Sequence, residues 1–247
     1  MQHRFFAPPA QISGSRITLD PSESHHLVRV LRLGVGTRVR VFDGADREYE
    51  CEVASAQKGA VEVSVLEDIT TPVESALRIV LAQALIKGDK FDWIIQKSTE
   101  LGVTRVTPLA TEHGDVHRIE GRAAERLKRW QRISLEALKQ CGRRRLVEIG
   151  EPMSWSDYCS HDESALRLFF CERGGRGIDR VAIGHSTPLE SVSIAIGPEG
   201  GWSEQEINFG GEHGFVPVHV GPRIMRTETA AVVAVALVQY LFGDLKS

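Results

Sequence analysis

Five short apolar runs, all from Ala76 onward, constrain the fold more than any other feature of the chain. They read LRIVLAQA, VTRVTPLA, ALRLFF, VSIAIG and FVPVHVG, and the segments between them are long enough for helices. Alternating strands and helices predict an α/β domain with a mostly parallel sheet and helices on both faces. In open sheets of this kind ligands bind beyond the carboxyl ends of the strands, so the loops after the strands are the candidate site.

The first seventy or so residues follow a different pattern, in which polar and apolar residues alternate. The runs RITL, RVRVF, EYECEVASA and AVEVSVLED predict short strands of a small β-barrel, with one helix from Pro21 to Gly34. The pattern changes at Thr71 and Pro72, so we expect one domain over residues 1–72 and a second over residues 73–247. Small barrels often bind nucleic acid and as often only pack, which leaves RNA binding open.

Composition and charge narrow the class of protein. The 247 residues are 42% hydrophobic, as in ordinary globular proteins, and the net charge of -3 means that any affinity for nucleic acid must come from a local patch. The four cysteines are widely spaced, and His25 and His26 have no third candidate ligand, so we expect reduced thiols and no metal. Without a leader or the roughly 20-residue apolar run of a membrane helix, we expect a cytoplasmic protein.

The stretch SIAIGPEGGWSEQE, from Ser193 to Glu206, ends a buried strand at a glycine-rich turn. Ser203 and Glu206 have the spacing of a capping box for a helix that follows. The glycines allow the backbone to approach a ligand closely, and Glu199 supplies a carboxylate. A tight connection between strand and helix is the alternative interpretation.

A second glycine turn, GPRIMRTETA, follows the last predicted strand. Thr227 is expected to cap the next helix, and Arg223, Arg226 and Glu228 lie close together in this loop. If the two strands are neighbours, both loops flank one pocket. The chain lacks a P-loop, an early dinucleotide fingerprint and a nucleophile elbow, which leaves a nucleotide-like ligand with its own positive charge as a candidate.

Two further helices carry candidate functional side chains. The run DKFDWIIQKSTELG predicts a helix with Asp89 as N-cap, and Lys97 and Glu100 lie off its apolar face, either as solvated surface or as functional groups. The segment from Arg118 to Arg145 contains ten Lys or Arg against three Glu. Its other face is formed by Leu127, Trp130, Ser134, Ala137, Leu138 and Cys141. The cations therefore share one face, where phosphate binding is their natural use and solvation the alternative.

The last predicted helix, from Ala230 to Phe242, is apolar except for Gln239 and the hydroxyl of Tyr240. A helix that is apolar all round must be buried on all sides, in a core or against another subunit. We expect a dimer interface here.

Five motifs together resemble the ribosomal RNA small subunit methyltransferase E family: IGPEGGWSEQE, VGPRIMRTETA, KGDKFDWIIQKSTELGV, RWQRISLEALKQCGR and HHLVRVLRLGVG. They occur in the family's order, and the match runs from Arg4 to Leu245. The resemblance implies a PUA-like β-barrel followed by a SPOUT methyltransferase domain with a C-terminal trefoil knot, and a homodimer formed through the C-terminal domain. It also implies methylation of uridine N3 in 16S rRNA of the small ribosomal subunit, at m3U1498, with S-adenosyl-L-methionine as cofactor.

The resemblance further implies which residues contact the ligands. The cofactor is expected to be held by Cys171, Glu172, Ile196, Gly197, Pro198, Glu199, Gly200, Gly201, Val220, Gly221, Arg223, Ile224, Met225, Arg226, Thr229 and Ala230. The RNA is expected to be bound by Arg4, His25, Arg29, Arg32, Glu112, Arg129, Arg132, Gln140 and Arg143. Val220 and Met225 stand where the family tends to have leucine. His113 replaces an arginine, so a substrate role of that arginine does not carry over.

Methylation of uracil N3 also sets a chemical requirement. Because N3 carries a proton, it is a poor nucleophile until that proton leaves. We expect Arg226 and Lys97 to stabilise the resulting anion, and Glu100 or Glu228 to act as base or to orient the uridine. A methyltransferase acting on another RNA and a non-catalytic RNA-binding assembly factor remain the alternatives.

Overall fold

The computed structural model describes residues 3–57, 59–71, 74–115, 122–172, 174–184 and 188–246. The chain divides into two compact units, of which the first comprises Met1–Glu74 with Leu138–Leu146, and the second Ser75–Ala137 with Val147–Ser247. The boundary after Glu74 lies close to the predicted one. The inclusion of residues 138–146 in the first unit was not predicted, because helical periodicity shows which face of a segment is buried and not which core buries it.

The first unit is built on one mixed sheet. Among the described residues it has six strands, in the order β1-β4-β5-β6-β3-β2. They are β1 Arg4–Phe6, β2 Ile12–Ser13, β3 Arg16–Leu19, β4 Arg38–Phe42, β5 Glu48–Gln57 and β6 Ala60–Ile69. Among the described strands of this sheet only β1 and β4 pair in parallel, and β1 and β2 form the two edges. In the described part of the chain these edges do not pair, so hydrogen bonds do not close the sheet into the predicted barrel.

The predicted N-terminal helix is shorter than its periodicity suggested. Helix α1, Pro21–His25, is capped by Asp20, whose carboxylate accepts from the Glu23 amide, and a π-helical turn covers His26–Val30. Leu27 is fully buried against the apolar face of the sheet. The α-helix and the π-helical turn together end at Val30, four residues before the predicted end at Gly34, and the chain then continues to β4.

The second unit contains the predicted parallel sheet. Its main strands are β7 Arg78–Ala84, β8 Arg105–Ala110, β11 Leu166–Phe170, β13 Ser191–Ile196 and β14 Val216–His219, and its short ones are β9 Glu148–Ile149, β10 Met153–Ser154 and β12 Arg176–Gly177. In the described residues the order is β10-β8-β7-β13-β11-β14-β12, with β9 beside β8, and every pairing is parallel. The five predicted strands are therefore confirmed, each to within two residues at either end.

Helices cover both faces of this sheet, as predicted. They are α2 Lys90–Glu100, α3 Ala123–Cys141, α4 Trp155–His161, α5 Ile178–Ile183, α6 Glu204–Glu212 and α7 Thr227–Phe242. Successive strand residues point to opposite faces, so Ile194 packs in the core with α2, α3 and α7, whereas Ala195 packs with α4 and α6. Trp130 packs against Phe91 with ring centroids 4.4 Å apart and is buried, which confirms its predicted core position.

Candidate active site

A cleft of about 770 Å³ lies in the second unit at the carboxyl ends of β13, β11 and β14. Both glycine loops line it, the first after β13 and the second after β14. These two strands are not neighbours, because β11 lies between them, and its end contributes Cys171 and Glu172. The structure thus brings both loops to one cleft by a three-strand arrangement that sequence spacing alone did not reveal.

Nearly all of the residues predicted to hold the cofactor line this cleft. Of the sixteen, Thr229 alone is outside the lining. The lining residues that were not predicted as ligand contacts are Lys90, Phe170, Trp202, Ile207, His219 and Thr227. Phe170 is the last residue of a predicted strand, His219 lies near the end of another, and Lys90 begins the helix after β7, so position near a strand end was the available signal.

The first glycine loop is packed so closely that side chains are excluded at two of its positions. A Cβ atom added to Gly197 would lie 2.8 Å from Nε1 of Trp202, and one added to Gly200 would lie 2.8 Å from Cβ of His113. Gly201 has a φ of 74°, which favours glycine. Trp202 is itself fixed, because its indole N–H donates to the Phe170 carbonyl at 3.0 Å. The backbone of the loop is therefore pre-formed against the strand ends.

The helix after this loop begins as predicted. Ser203 and Glu206 form a complete capping box at the start of α6. The other carboxylate oxygen of Glu206 accepts from the Glu112 amide at 2.9 Å, and Nδ1 of His113 lies 3.1 Å from the Gly201 carbonyl. The loop after β8 thus docks on the first glycine loop, and Glu112 and His113 belong to its exposed surface.

The second glycine loop joins the first through Thr227. The prediction that Thr227 caps α7 was wrong: Arg226 occupies the N-cap position, and Thr227 is the first residue of the helix. The Thr227 hydroxyl donates to the Gly197 carbonyl at 2.6 Å and accepts from Nε2 of Gln83 at 3.2 Å. This buried hydroxyl links the first glycine loop, the start of α7 and the end of β7.

Charged side chains meet at the edge of the cleft formed by α2 and α7. The Lys90 ammonium contacts the Glu199 carboxylate and lies 3.8 Å from Oε2 of Glu228. The hydrogen bond that Lys90 donates to Glu199 raises the pKa of Lys90 above its ordinary value. Oε2 of Glu228 is buried and has no hydrogen-bond partner among the described residues. Arg226 is exposed and lines the same cleft.

The predicted pair on α2 lies elsewhere. The Lys97 ammonium donates to both carboxylate oxygens of Glu100, at 2.8 and 3.0 Å, and neither residue lines the cleft. Asp89 precedes α2 as predicted, but its carboxylate does not cap the helix and instead accepts from Arg129 on α3. The roles of Lys97 and Glu100 therefore stay a prediction.

Cys171 is a thiol at the cleft and not an activated nucleophile. Burial raises its pKa to about 11, so the protonated form predominates near neutral pH. Among the described residues, no group of three or more His, Cys, Asp or Glu has the geometry to hold a metal ion. No helix in the described ranges combines the length and apolar character needed to cross a membrane.

The residues predicted to bind RNA fall into two sets. Six are exposed side chains: His25, Arg29, Arg32, Arg129, Arg132 and Gln140. Glu112 is exposed in the loop after β8. Arg118, counted in the basic segment, lies outside the described residues. The buried face predicted for the basic helix is confirmed, since Trp130, Ser134, Ala137 and Leu138 are buried.

Arg4 and Arg143 have structural partners inside the first unit. Arg4 pairs with Glu48 at 2.7 Å and donates to four carbonyls at the end of α3 and just beyond it. Arg143 is 6% exposed and pairs with Glu74 at 2.9 Å. Their side chains are not presented on the surface, and this corrects the expectation that they contact RNA. Sequence spacing could not reveal it, because the partners are 44 and 69 residues away.

Family models define the class of protein to which this fold and cleft belong. The RNA methyltransferase domain matches residues 73–239, and the RNA methyltransferase PUA domain matches residues 19–66. The two matched segments lie in the second and first units respectively, apart from residues 73–74 and 138–146 of the first match, which belong to the first unit. The class is therefore an RNA methyltransferase with a PUA-like N-terminal domain.

Individual relatives identify the family within this class. Ribosomal RNA small subunit methyltransferase E of Synechocystis sp. is 33% identical over 98% of this chain and 78% of its own length. The enzyme of that name from Neisseria gonorrhoeae, solved bound to S-adenosyl methionine, is 32% identical and matches with a TM-score of 0.90 over 99% of this chain and 100% of its own. A methyltransferase from Legionella pneumophila with bound SAM matches with a TM-score of 0.91 at 32% identity, over 99% and 100% of the two chains. The chain belongs to the ribosomal RNA small subunit methyltransferase E family.

Proposed function

We propose that this protein transfers the methyl group of S-adenosyl-L-methionine to N3 of a uridine in 16S rRNA of the small ribosomal subunit, at the position known as m3U1498. The cleft is the observation that carries the proposal, because fifteen of the sixteen predicted cofactor residues line it. A non-catalytic RNA-binding factor would not need two glycine loops that converge on one cleft. Because the proposed substrate is ribosomal RNA, we expect the protein to act in the cytoplasm.

The cleft has the size and chemistry that this cofactor requires. Its volume of about 770 Å³ lies within the range of small-molecule sites. The glycine loops offer backbone groups, Phe170 and Ile196 offer apolar surface, and Glu172 and Glu199 offer carboxylates to a positively charged ligand. The bound cofactor would supply a methyl group activated by its sulfonium charge.

Deprotonation of uridine is the second requirement, and the cleft edge offers groups for it. Glu228 is the better placed of the two candidate bases, since one of its carboxylate oxygens is buried, has no hydrogen-bond partner among the described residues and lies beside Lys90. Arg226, two residues earlier, lines the cleft and can stabilise negative charge. Lys97 and Glu100 remain candidates for the roles predicted from the sequence.

RNA binding would use the exposed basic residues. We assign it to His25, Arg29 and Arg32 of the first unit and to Arg129, Arg132 and Gln140 of α3, with Glu112 near the cleft. Phosphate contacts by these cations would make the affinity fall steeply with salt.

We also propose that the methyltransferase domain is a knotted SPOUT domain that dimerises through α7. After β14, on the far side of β11, the chain returns so that α7 packs on α2, β7 and β13. Thr227 is bonded to Gly197 in the loop that the chain left thirty residues earlier. This return across an earlier loop supports the knot.

The direct test is to incubate the purified protein with methyl-labelled S-adenosyl-L-methionine and unmodified small ribosomal subunits, and then to digest the RNA to nucleosides. We expect the label in 3-methyluridine at one site. Label in another nucleoside or another RNA would overturn the substrate assignment and leave cofactor use intact. Failure to bind the cofactor would overturn the interpretation of the cleft.

A further inference from the structure

Lys90 is the point at which three elements of the cleft meet. It is the first residue of α2, the helix that follows β7. In the sheet, β7 and β11 lie on opposite sides of β13. Its ammonium contacts Glu199 of the first glycine loop and lies 3.8 Å from Oε2 of Glu228 in the first turn of α7. Arg226 lines the same cleft and acts on Lys90 electrostatically. These four charged groups thus meet at the β7 edge of the cleft, while β11 and β14 supply its other edge.

We propose that Lys90 is the cation that stabilises the uridine anion during methyl transfer, and that Glu199 and Glu228 position its ammonium for this. This inference rests on the proposed function and adds to it a residue that sequence reasoning did not assign. Lys97, the lysine predicted for the role, lies seven residues further along α2, about 10 Å along the helix axis. Its ammonium is held by Glu100, outside the cleft lining.

The chemical step shows what the ammonium would do. Glu228 accepts the N3 proton, and the N3 lone pair forms a bond to the methyl carbon while the bond from that carbon to sulfur breaks with its electrons remaining on sulfur. The products are 3-methyluridine and S-adenosylhomocysteine, and the proton passes from Glu228 to water. Negative charge on the uracil ring builds up as the proton leaves, so a fixed cation stabilises the reacting state more than the neutral uridine.

The surroundings of Lys90 suit this role. Its side chain is 35% exposed, so a substrate entering the cleft can reach it. Glu199 and Glu228 favour the charged form of Lys90, whereas Arg226 opposes it, and the net effect is a pKa above the ordinary value. Lys90 therefore keeps its charge as the solution becomes moderately alkaline, while a uridine loses its proton.

The test compares Lys90→Gln, Lys90→Arg and the matched control Lys87→Gln. Lys87 is exposed in the same β7–α2 connection but does not line the cleft, so its substitution removes the same charge from the same segment. Calorimetry with S-adenosyl-L-methionine reports cofactor affinity. Single-turnover methylation of unmodified small subunits, from neutral to alkaline pH, reports the chemical step.

We expect Lys90→Gln to bind the cofactor with an affinity within about threefold of wild type and to transfer methyl roughly 10²–10³-fold more slowly, as when one oxyanion donor is removed. Its rate should continue to rise at alkaline pH where the wild-type rate has levelled off, because the uridine must ionise without assistance. Lys90→Arg should recover part of the rate, and Lys87→Gln should match wild type.

Three results would overturn the role of Lys90: an unchanged rate for Lys90→Gln, a loss of rate explained by lost cofactor binding, or a uniform reduction with the wild-type pH profile. In each of these the wild-type protein still methylates uridine, so the proposed function stands. A wild-type protein that binds the cofactor and methylates no uridine would overturn both.

Discussion

At the scale of single residues, the hydroxyl of Thr227 has the most consequence for the cleft. It is buried, donates to the Gly197 carbonyl and accepts from Gln83, so it fixes the first glycine loop to α7 and β7. We expect Thr227→Val, which keeps the shape of the side chain, to lower the free energy of unfolding by about 1–2 kcal/mol. Cofactor affinity should fall as well, because the loop loses its anchor. Urea denaturation and calorimetry measure the two effects.

Thr104 provides the control for this variant. Its hydroxyl donates to the Ile79 carbonyl at 2.9 Å, at the opposite end of the sheet from the cleft. Thr104→Val should also lower stability and should leave cofactor affinity unchanged. Equal loss of affinity in both variants would show that Thr227 acts through general stability and not through the glycine loop.

At the scale of elements, two adjacent glycines of α6 should respond oppositely to the same change. A Cβ atom on Gly211 would meet nothing within 4 Å, whereas one on Gly210 would lie 2.8 Å from Cζ2 of Trp155. Gly211→Ala should raise the free energy of unfolding by about 0.5 kcal/mol, because alanine loses less backbone entropy in a helix. Gly210→Ala should lower it by about 1–3 kcal/mol through overpacking.

The packing behind α6 extends this prediction to the cleft. Trp155 lies against Trp202 with ring centroids 4.7 Å apart, and Trp202 lines the cleft. Gly210→Ala should therefore weaken cofactor binding as well as stability, and Gly211→Ala should not. Thermal unfolding with and without cofactor separates the two effects, and an equal response of both variants would contradict this packing argument.

How far the sequence predicted these elements depended on the range of the interactions involved. The capping box of Ser203 and Glu206 is local, and it was predicted correctly from spacing alone. Thr227 was assigned to a local cap, but its hydroxyl is satisfied by Gly197 thirty residues away. The position of β11 between β13 and β14 likewise depends on long-range pairing. Composition and periodicity carry no information about such contacts, although these contacts determine how the cleft is assembled.

At the scale of the whole molecule, the basic segment from Arg118 to Arg145 also makes long-range contacts that composition and periodicity did not predict. Its last residues belong to the first unit, where Arg144 pairs with Glu48 at 3.0 Å and Arg143 with Glu74. Removing one partner of such a buried pair leaves an uncompensated charge, so loss of either arginine would destabilise the first unit. The count of ten cations therefore overstates the positive surface that is available to RNA.

The oligomeric state is the remaining property of the whole molecule that the sequence predicts. Val233, Ala236, Leu237 and Tyr240 share one face of α7, and all are half-buried or exposed in a single chain. If this face forms a two-fold interface, Tyr240→Glu introduces two charges into it and should convert a dimer to a monomer. Leu66→Glu, at a similarly exposed residue of β6, should remain dimeric. Light scattering after size-exclusion chromatography measures both masses, and a dimeric Tyr240→Glu protein or a monomeric wild type would contradict the proposed interface.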